Sequence, residues 1–181
     1  GDAIVRTTGA STLVNTGANV LTANGSVLLC GSGTATLSGG GAKKAKAVLY
    51  ATDSVTIASG TWTIDMTYTK AEKGFGIWAK KSYTQSAGSV RIASACTDYK
   101  DTGLYTDKKD VTLTGGTLAI EVRGPKSVAL TADAADATVT LAGGSLLLDV
   151  SGAAAKGVKA DGAFVMTDGI LNATVSGDPL Y

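Results

Sequence analysis

The chain has 181 residues, a formal net charge of +1 and no histidine, and its 24 glycines far outnumber its two prolines. A charge so close to zero gives no prediction of binding to nucleic acid or to an anionic membrane surface. The lack of histidine excludes any catalytic or metal site that needs an imidazole, and no apolar run reaches the roughly 18 residues of a transmembrane helix. We therefore expect no nucleic-acid partner and no membrane insertion.

A short motif recurs along the chain with a period of 28 residues. It consists of an apolar–Thr–apolar triplet, a glycine a few residues later, and a further stretch in which apolar and polar residues alternate. The triplets and their equivalents begin at Val27, Val55, Tyr83, Val111, Val139 and Phe164. Each period contains three alternating segments joined by turns of Gly, Asp and Lys, which is typical of three short strands.

A fixed period of this length indicates stacked units rather than a closed globular core. The sequence therefore predicts an all-β, single-stranded right-handed parallel β-helix, a solenoid with about 28 residues and three short strands per coil. In such a fold the inward positions form apolar columns and the outward positions form surface columns, because equivalent residues of successive coils stack at strand spacing.

We expect one domain that covers residues 1–181. Residues 1–45 fit the repeat least well and predict irregular first coils, whereas residues 46–177 predict regular coils. Neither end carries an obvious cap, which favours a fragment of a longer solenoid, because uncapped solenoid ends tend to aggregate. The two cysteines, Cys30 and Cys96, lie 66 residues apart. Two small buried side chains are favoured over a disulfide, and both alternatives remain open.

Two coils place unusual residues at positions that the repeat assigns to the interior. Trp62 lies two residues after its glycine, where other coils have Val90 and Leu118, so we expect it in the core. Tyr83 and Gln85 occupy inward positions that are aliphatic elsewhere. A buried Gln needs hydrogen-bond partners, so either Gln85 bonds to backbone or trapped water, or this strand is locally rotated.

Large aromatic residues fall in one outward column on successive coils. Tyr50, Trp78 and Tyr105 lie 28 and 27 residues apart, and Thr131 and Lys159 continue the column. Aromatic rings pack on the C–H faces of sugars, and Tyr and Trp add a polar tip, so a row of rings would follow a linear polymer. The alternative is an aromatic ladder that only covers the sheet.

Acidic residues form a second outward column. Asp107, Asp133 and Asp161 lie two residues beyond the first column in successive coils. Stacked carboxylates repel one another unless a cation lies between them, and calcium takes six to eight oxygen ligands. The column is therefore a candidate calcium site. The alternative is that Asp is common in turns for its backbone hydrogen bonds.

Lysines recur in the segment that precedes each coil, at nearly the repeat period. They are Lys46, Lys73, Lys100, Lys126 and Lys156. If they align, they form a basic edge suited to carboxylated or sulfated polymers. The alternative is a solvated charged rim that prevents edge-to-edge pairing.

The segment KGVKADG, from Lys156 to Gly162, resembles a repeat of the bacterial carbohydrate-binding-domain family of parallel β-helices. The resemblance extends over roughly residues 46–177, with VLYATDSVTIASGTWTI and GLYTDKKDVTLTGGTLAI in the same style, and the first coils depart from it. It implies binding of polygalacturonate or cellulose, calcium, a scaffold shared with polysaccharide lyases, and a secreted or surface-attached bacterial protein. Asp161 is the calcium ligand that it supports best.

We therefore expect a non-catalytic extracellular module that binds acidic polysaccharide, with calcium as a candidate cofactor, and we expect a monomer. The predicted carbohydrate-binding residues are Tyr50, Trp78, Tyr105, Lys100, Lys126, Lys156 and Lys159. One alternative is a structural or adhesive surface rod. Another is a calcium-dependent lyase, in which Lys159 would act as the base beside Asp161.

Overall fold

The computed structural model describes residues 1–39, 46–67, 73–94 and 100–177. These residues form a right-handed parallel β-helix of about six turns, with equivalent positions about 28 residues apart. The fold class predicted from the repeat is confirmed. Every pairing between strands is parallel, and each strand pairs with its equivalents in the coils before and after it.

Coils 1 to 3 contain nine strands: β1 (Ala3–Thr7), β2 (Ala10–Asn15), β3 (Leu21–Ala23), β4 (Val27–Gly31), β5 (Thr34–Gly39), β6 (Lys46–Ala51), β7 (Val55–Ile57), β8 (Thr61–Met66) and β9 (Lys73–Ala79). Coils 4 to 7 contain the rest: β10 (Tyr83–Gln85), β11 (Ser89–Ser94), β12 (Lys100–Thr106), β13 (Val111–Leu113), β14 (Thr117–Arg123), β15 (Val128–Ala132), β16 (Thr138–Ser151), β17 (Lys156–Ala160) and β18 (Ala163–Ser176).

The strands build three sheets that run along the solenoid. Sheet 1 stacks β1, β4, β7, β10 and β13, and sheet 2 stacks β2, β5, β8, β11 and β14. The long strands β16 and β18 continue from sheet 1 into sheet 2 and join the two. Sheet 3 stacks β3, β6, β9, β12, β15 and β17, and it carries the candidate site.

The first coils are regular where the structure describes them. Ala3 pairs with Val27, and Val27 pairs with Val55, so β1 and β4 share the register of the later triplets. The sequence predicted irregular coils over residues 1–45, whereas residues 3–39 form two ordinary coils. The basic loop falls on residues 40–45, which lie outside the described residues.

The core is one continuous column of inward side chains along the solenoid. Trp62 is fully buried, as its position in the repeat predicts, and its indole Nε1 donates a hydrogen bond to the Ser59 carbonyl at 2.9 Å. Cys30 is a half-buried free thiol, and Cys96 lies outside the described residues.

Tyr83 and Gln85 form a polar pair inside this apolar core. Both are fully buried, and both point inward in register with Val55 and Ile57 of the coil before. The Tyr83 hydroxyl donates to Gln85 Oε1 at 2.8 Å, and Gln85 Nε2 donates to the Thr117 carbonyl at 3.0 Å. The strand is therefore not rotated, and the Gln bonds to backbone, as one of the two sequence-based alternatives proposes.

Glycines change the alternation of sheet 3 just before its inward column. A Cβ on Gly103 would overlap Ile120 Cγ2 and would lie 2.7 Å from the Ala129 carbonyl oxygen, so this position faces the core and admits no side chain. Gly76 occupies the equivalent position in coil 3 and faces Ile92 in the same way. Because these glycines take inward positions, the residues that precede them are available to the outer side of the sheet.

The described residues contain no helix that is both long enough and apolar enough to cross a membrane.

Replacing Gln85 by Leu tests the polar pair in the core. The substitution leaves the buried Tyr83 hydroxyl without its acceptor, so we expect the free energy of unfolding to fall by about 1–3 kcal/mol in urea titrations. Adding Tyr83→Phe removes the orphaned hydroxyl and should recover at least half of that loss, because both partners are then apolar. A double variant that is less stable than Gln85→Leu alone contradicts this account.

Candidate functional site

The outward aromatic residues of sheet 3 lie side by side on three successive strands. Trp78 on β9 pairs in register with Tyr50 on β6 and with Tyr105 on β12. The ring centroids are 5.3 Å apart for Tyr50 and Trp78 and 5.9 Å apart for Trp78 and Tyr105, with interplanar angles of 75° and 80°. All three side chains are half-buried. The rings therefore meet edge to face and do not form one flat platform.

A fourth ring, Phe75, completes this aromatic row and was missed by the sequence analysis. Its centroid lies 4.7 Å from that of Trp78 and 5.1 Å from that of Tyr105. The Lys73 ammonium lies 4.8 Å from the Phe75 centroid and 5.0 Å from the Tyr105 centroid, within cation–π distance. The signal was the sequence Gly74-Phe75-Gly76, because the inward glycine breaks the simple alternation.

The end of the aromatic column is charged and hydrogen-bonded. Tyr105 pairs in register with Thr131, and Thr131 with Lys159. Lys159 Nζ lies 2.6 Å from Asp133 Oδ1 and 3.0 Å from Asp161 Oδ1, and the Tyr105 hydroxyl donates to Asp133 Oδ2 at 2.7 Å. The hydrogen bond from Lys159 holds the pKa of Asp133 below its usual value, and Asp133 followed by Asp161 raises the pKa of Lys159.

The predicted calcium column therefore has a protein cation between two of its carboxylates. Asp107, Asp133 and Asp161 lie on the same side of sheet 3 as Lys159, which bonds the last two. Within the described ranges, no three acidic, histidine or cysteine side chains are grouped closely enough to hold a metal ion. Calcium binding by this column stays a prediction, and Lys159 supplies the charge compensation that the stacked carboxylates need.

Four of the predicted lysines line a single surface pocket of about 210 Å³. Lys100 begins β12, Lys126 lies in the turn before β15, and Lys156 and Lys159 belong to β17. Val128 and Ala154 form the apolar part of the lining. The pocket therefore spans coils 4, 5 and 6. Lys73 pairs in register with Lys100 on the neighbouring strand, and the Lys46 side chain lies outside the described part of the structure.

The lysine pocket has an excess of positive charge. Lys159 is neutralised by its two carboxylates, but Lys100, Lys126 and Lys156 form no ion pair with any described residue. Burial, followed by the charges of Lys73, Lys159 and Lys156, lowers the pKa of Lys100, although Asp133 opposes part of this effect. A group of cations that raise one another's electrostatic energy gains from binding an anion.

A buried carboxyl lies directly behind this pocket. Asp101 follows Lys100 on β12 and is fully buried. One carboxyl oxygen accepts a hydrogen bond from the Ser94 hydroxyl, whereas the other, Oδ1, has no hydrogen bond of normal geometry. The Asp101 backbone N–H donates to Ser127 Oγ at 3.1 Å, and Ser127 Oγ donates to the Arg123 carbonyl at 3.1 Å.

Burial raises the pKa of Asp101 to about 6, although hydrogen bonds from Ser94 and from the Gly74 backbone act in the opposite direction. The sequence analysis missed this residue because it lies in an irregular segment between two coils. The available signal was an acidic residue at the position that Gly74 occupies in the preceding coil.

No protein-family model matches the chain, and neither a curated protein nor a solved structure matches it. The resemblance to a carbohydrate-binding family stays a prediction from the residues that carry it.

Replacing Asp101 by Asn tests the burial of this carboxyl. Since its folded pKa lies above the ordinary 3.8, the folded protein holds an extra proton between about pH 4 and 6, and stability falls as the pH rises through this window. We expect Asp101→Asn to raise the free energy of unfolding at pH 7.5 by up to about 3 kcal/mol and to change it little at pH 4. Urea unfolding at both pH values measures this, and a variant that is less stable than the parent at pH 7.5 contradicts it.

Proposed function

We propose that this chain is a non-catalytic, extracellular binding module for an acidic polysaccharide, and that the lysine pocket on sheet 3 holds the anionic groups of the polymer. The observation that carries the proposal is the convergence of Lys100, Lys126, Lys156 and Lys159 on one pocket, three of them without an ion-pair partner among the described residues. Such a cluster favours a ligand with several negative charges over a neutral one.

The arrangement suits an extended polymer better than a single small anion. Lys100, Lys126 and Lys156 come from three successive coils, and successive coils stack about 4.8 Å apart. A chain that lies along the solenoid axis could present one acidic group to each coil. Lysine ammonium groups act as point charges on flexible stems and tolerate variation in the position of those groups. Each contact is weak, so affinity grows with the number of contacts made at once.

The aromatic row extends the same surface toward the first coils. Tyr50, Trp78 and Tyr105 are half-buried and lie on β6, β9 and β12 of the sheet that carries the lysine pocket. Their exposed edges could contact the C–H groups of sugar rings beside the charged groups. Because the rings meet edge to face, we assign them a smaller share of the affinity than the lysines.

Polygalacturonate is the first ligand to test, because the family resemblance names it and because it carries a carboxylate on every sugar. Cellulose, which the same resemblance implies, carries no charge and would have to bind through the aromatic row alone. The bacterial origin, the secreted or surface location and the calcium requirement belong to the same proposal. They rest on the KGVKADG segment, Lys156 to Gly162.

The alternative of a polysaccharide lyase is less well supported by the surroundings of its candidate base. A lyase base must be able to lose its proton, whereas the hydrogen bonds of Asp133 and Asp161 raise the pKa of Lys159. A structural or adhesive rod is the second candidate function. The edge-to-face packing of Trp78 with Tyr50 and Tyr105 favours it, because this is how an aromatic ladder that only covers a sheet would pack.

Removing Lys126 and Lys156 together tests the binding surface. The Lys126→Ala, Lys156→Ala variant loses two charges of the lysine pocket, each worth about 0.2–1 kcal/mol when exposed, so we expect affinity for polygalacturonate to fall about tenfold. Its affinity should also depend less steeply on salt concentration than that of the parent chain. Isothermal titration calorimetry at low and at physiological salt measures both effects.

The matched control is the Lys108→Ala, Lys109→Ala variant, which has the same net charge but loses two exposed lysines in the turn after β12. We expect it to bind within about twofold of the parent. Equal losses in the two variants would show that only overall charge matters and would contradict a defined pocket. Absence of binding by the parent chain to any acidic polymer, with and without calcium, would favour the structural rod.

A further inference from the structure

The buried carboxyl of Asp101 is joined to the lysine pocket by the backbone. Lys100 and Asp101 are neighbours on β12, and Lys126 and Ser127 are neighbours in the next coil. The hydrogen bond from the Asp101 N–H to Ser127 Oγ therefore ties coil 4 to coil 5 directly behind two of the four pocket lysines. A change in the charge of Asp101 acts within a few ångströms of the anion-binding surface.

No described charge neutralises Asp101. Facing it are Gly74 with its neighbour Lys73 on β9, Ser94 at the end of β11, and Ser127 with its neighbour Lys126 in the turn after β14. The other charged residues on the elements packed against it are engaged elsewhere on the surface. Arg91 on β11 bonds Glu121 on β14 at 2.6 Å, and Arg123 at the end of β14 lies 3.7 Å from Asp149 on β16.

We propose that Asp101 is a pH-responsive regulator of the lysine pocket. When protonated it leaves the pocket with its full positive charge and strong anion binding, and when ionised it places a buried negative charge behind Lys100 and Lys126 and weakens that binding. The inference rests on the proposed function, since it names the regulation of the same site. It predicts a module that holds an acidic polymer in mildly acidic surroundings and releases it as the pH rises.

The composition of the chain makes this response distinct. Burial raises the pKa of Asp101 to about 6, so its charge appears mainly between pH 5 and pH 7. The chain has no histidine, the one side chain whose ordinary pKa lies in that range. Asp133, the nearest surface carboxyl of the pocket, has its pKa lowered by Lys159 and is ionised throughout. Any binding transition near pH 6 is therefore assigned to Asp101.

The test measures the affinity of the whole chain for polygalacturonate from pH 5.0 to pH 7.5 at constant ionic strength, where the carboxylates of the ligand are ionised. We expect the affinity of the parent chain to weaken about threefold or more across the range, with a midpoint near pH 6, as one added charge at partly screened distance requires. Asp101→Asn keeps the side-chain shape without a charge, and we expect it to bind tightly at every pH. The matched control, Asp168→Asn, removes an exposed carboxylate on β18 and should keep the parent's pH dependence.

The outcomes separate this inference from the function on which it rests. If the parent chain binds but Asp101→Asn keeps the same pH dependence, the regulation is overturned and the binding function stands. If the parent chain binds at no pH, the proposed function and its regulation both fail. An independent titration of the Asp101 carboxyl carbon by NMR needs no ligand, and a midpoint below pH 5 overturns the regulation whatever the binding data show.

Discussion

The parallel register between neighbouring coils controls the position of every side chain in this protein. Hydrogen bonds between equivalent strands place each residue above its counterpart about 28 positions earlier, as Thr84 lies above Thr56 and below Thr112. One residue type therefore becomes a column with a spacing of about 4.8 Å. An apolar column forms core, a hydroxyl column forms an uncharged surface, and a charged column must either find counter-ions or remain a site of strong potential.

The two charged columns of sheet 3 meet that requirement differently. The carboxylates of Asp133 and Asp161 share Lys159, so the acidic column is largely neutralised by the protein itself. Lys100, Lys126 and Lys156 have no such partner among the described residues, and burial and neighbouring lysines lower the pKa of Lys100. The remaining potential of the surface is therefore positive, although the formal charge of the whole chain is only +1. Local charge, and not net charge, indicates the class of ligand.

The period of the sequence predicts the parts of this structure that depend on register alone. The inward position of Trp62, the buried Gln85 and the alignment of Tyr50 with Trp78 all follow from counting positions. The period does not predict how far a side chain reaches from its own column, which is why the bonds of Lys159 to Asp133 required the structure. The regular first coils were missed because their apolar positions are poorer than those of the later coils.

Local departures from the repeat were also hidden from the sequence. Gly103 takes an inward position that other solenoid repeats would fill with a side chain, and this shifts the residues before it. Phe75 consequently joins the aromatic row, and Asp101 becomes buried behind the lysine pocket. Both residues lie next to segments that the repeat does not describe, where register gives no information about burial. Burial, not residue type, makes Asp101 a group that titrates near neutral pH.

The central claim is that an acidic polymer binds along sheet 3 at coils 4 to 6. The most direct measurement is a titration of the isotopically labelled chain with a short polygalacturonate oligomer, followed by NMR of the backbone amides. The account predicts that the largest shifts occur in β12, β15 and β17 and in the turns that carry Lys126 and Lys156. Shifts confined to sheet 1, or an unchanged spectrum at millimolar ligand, would contradict it.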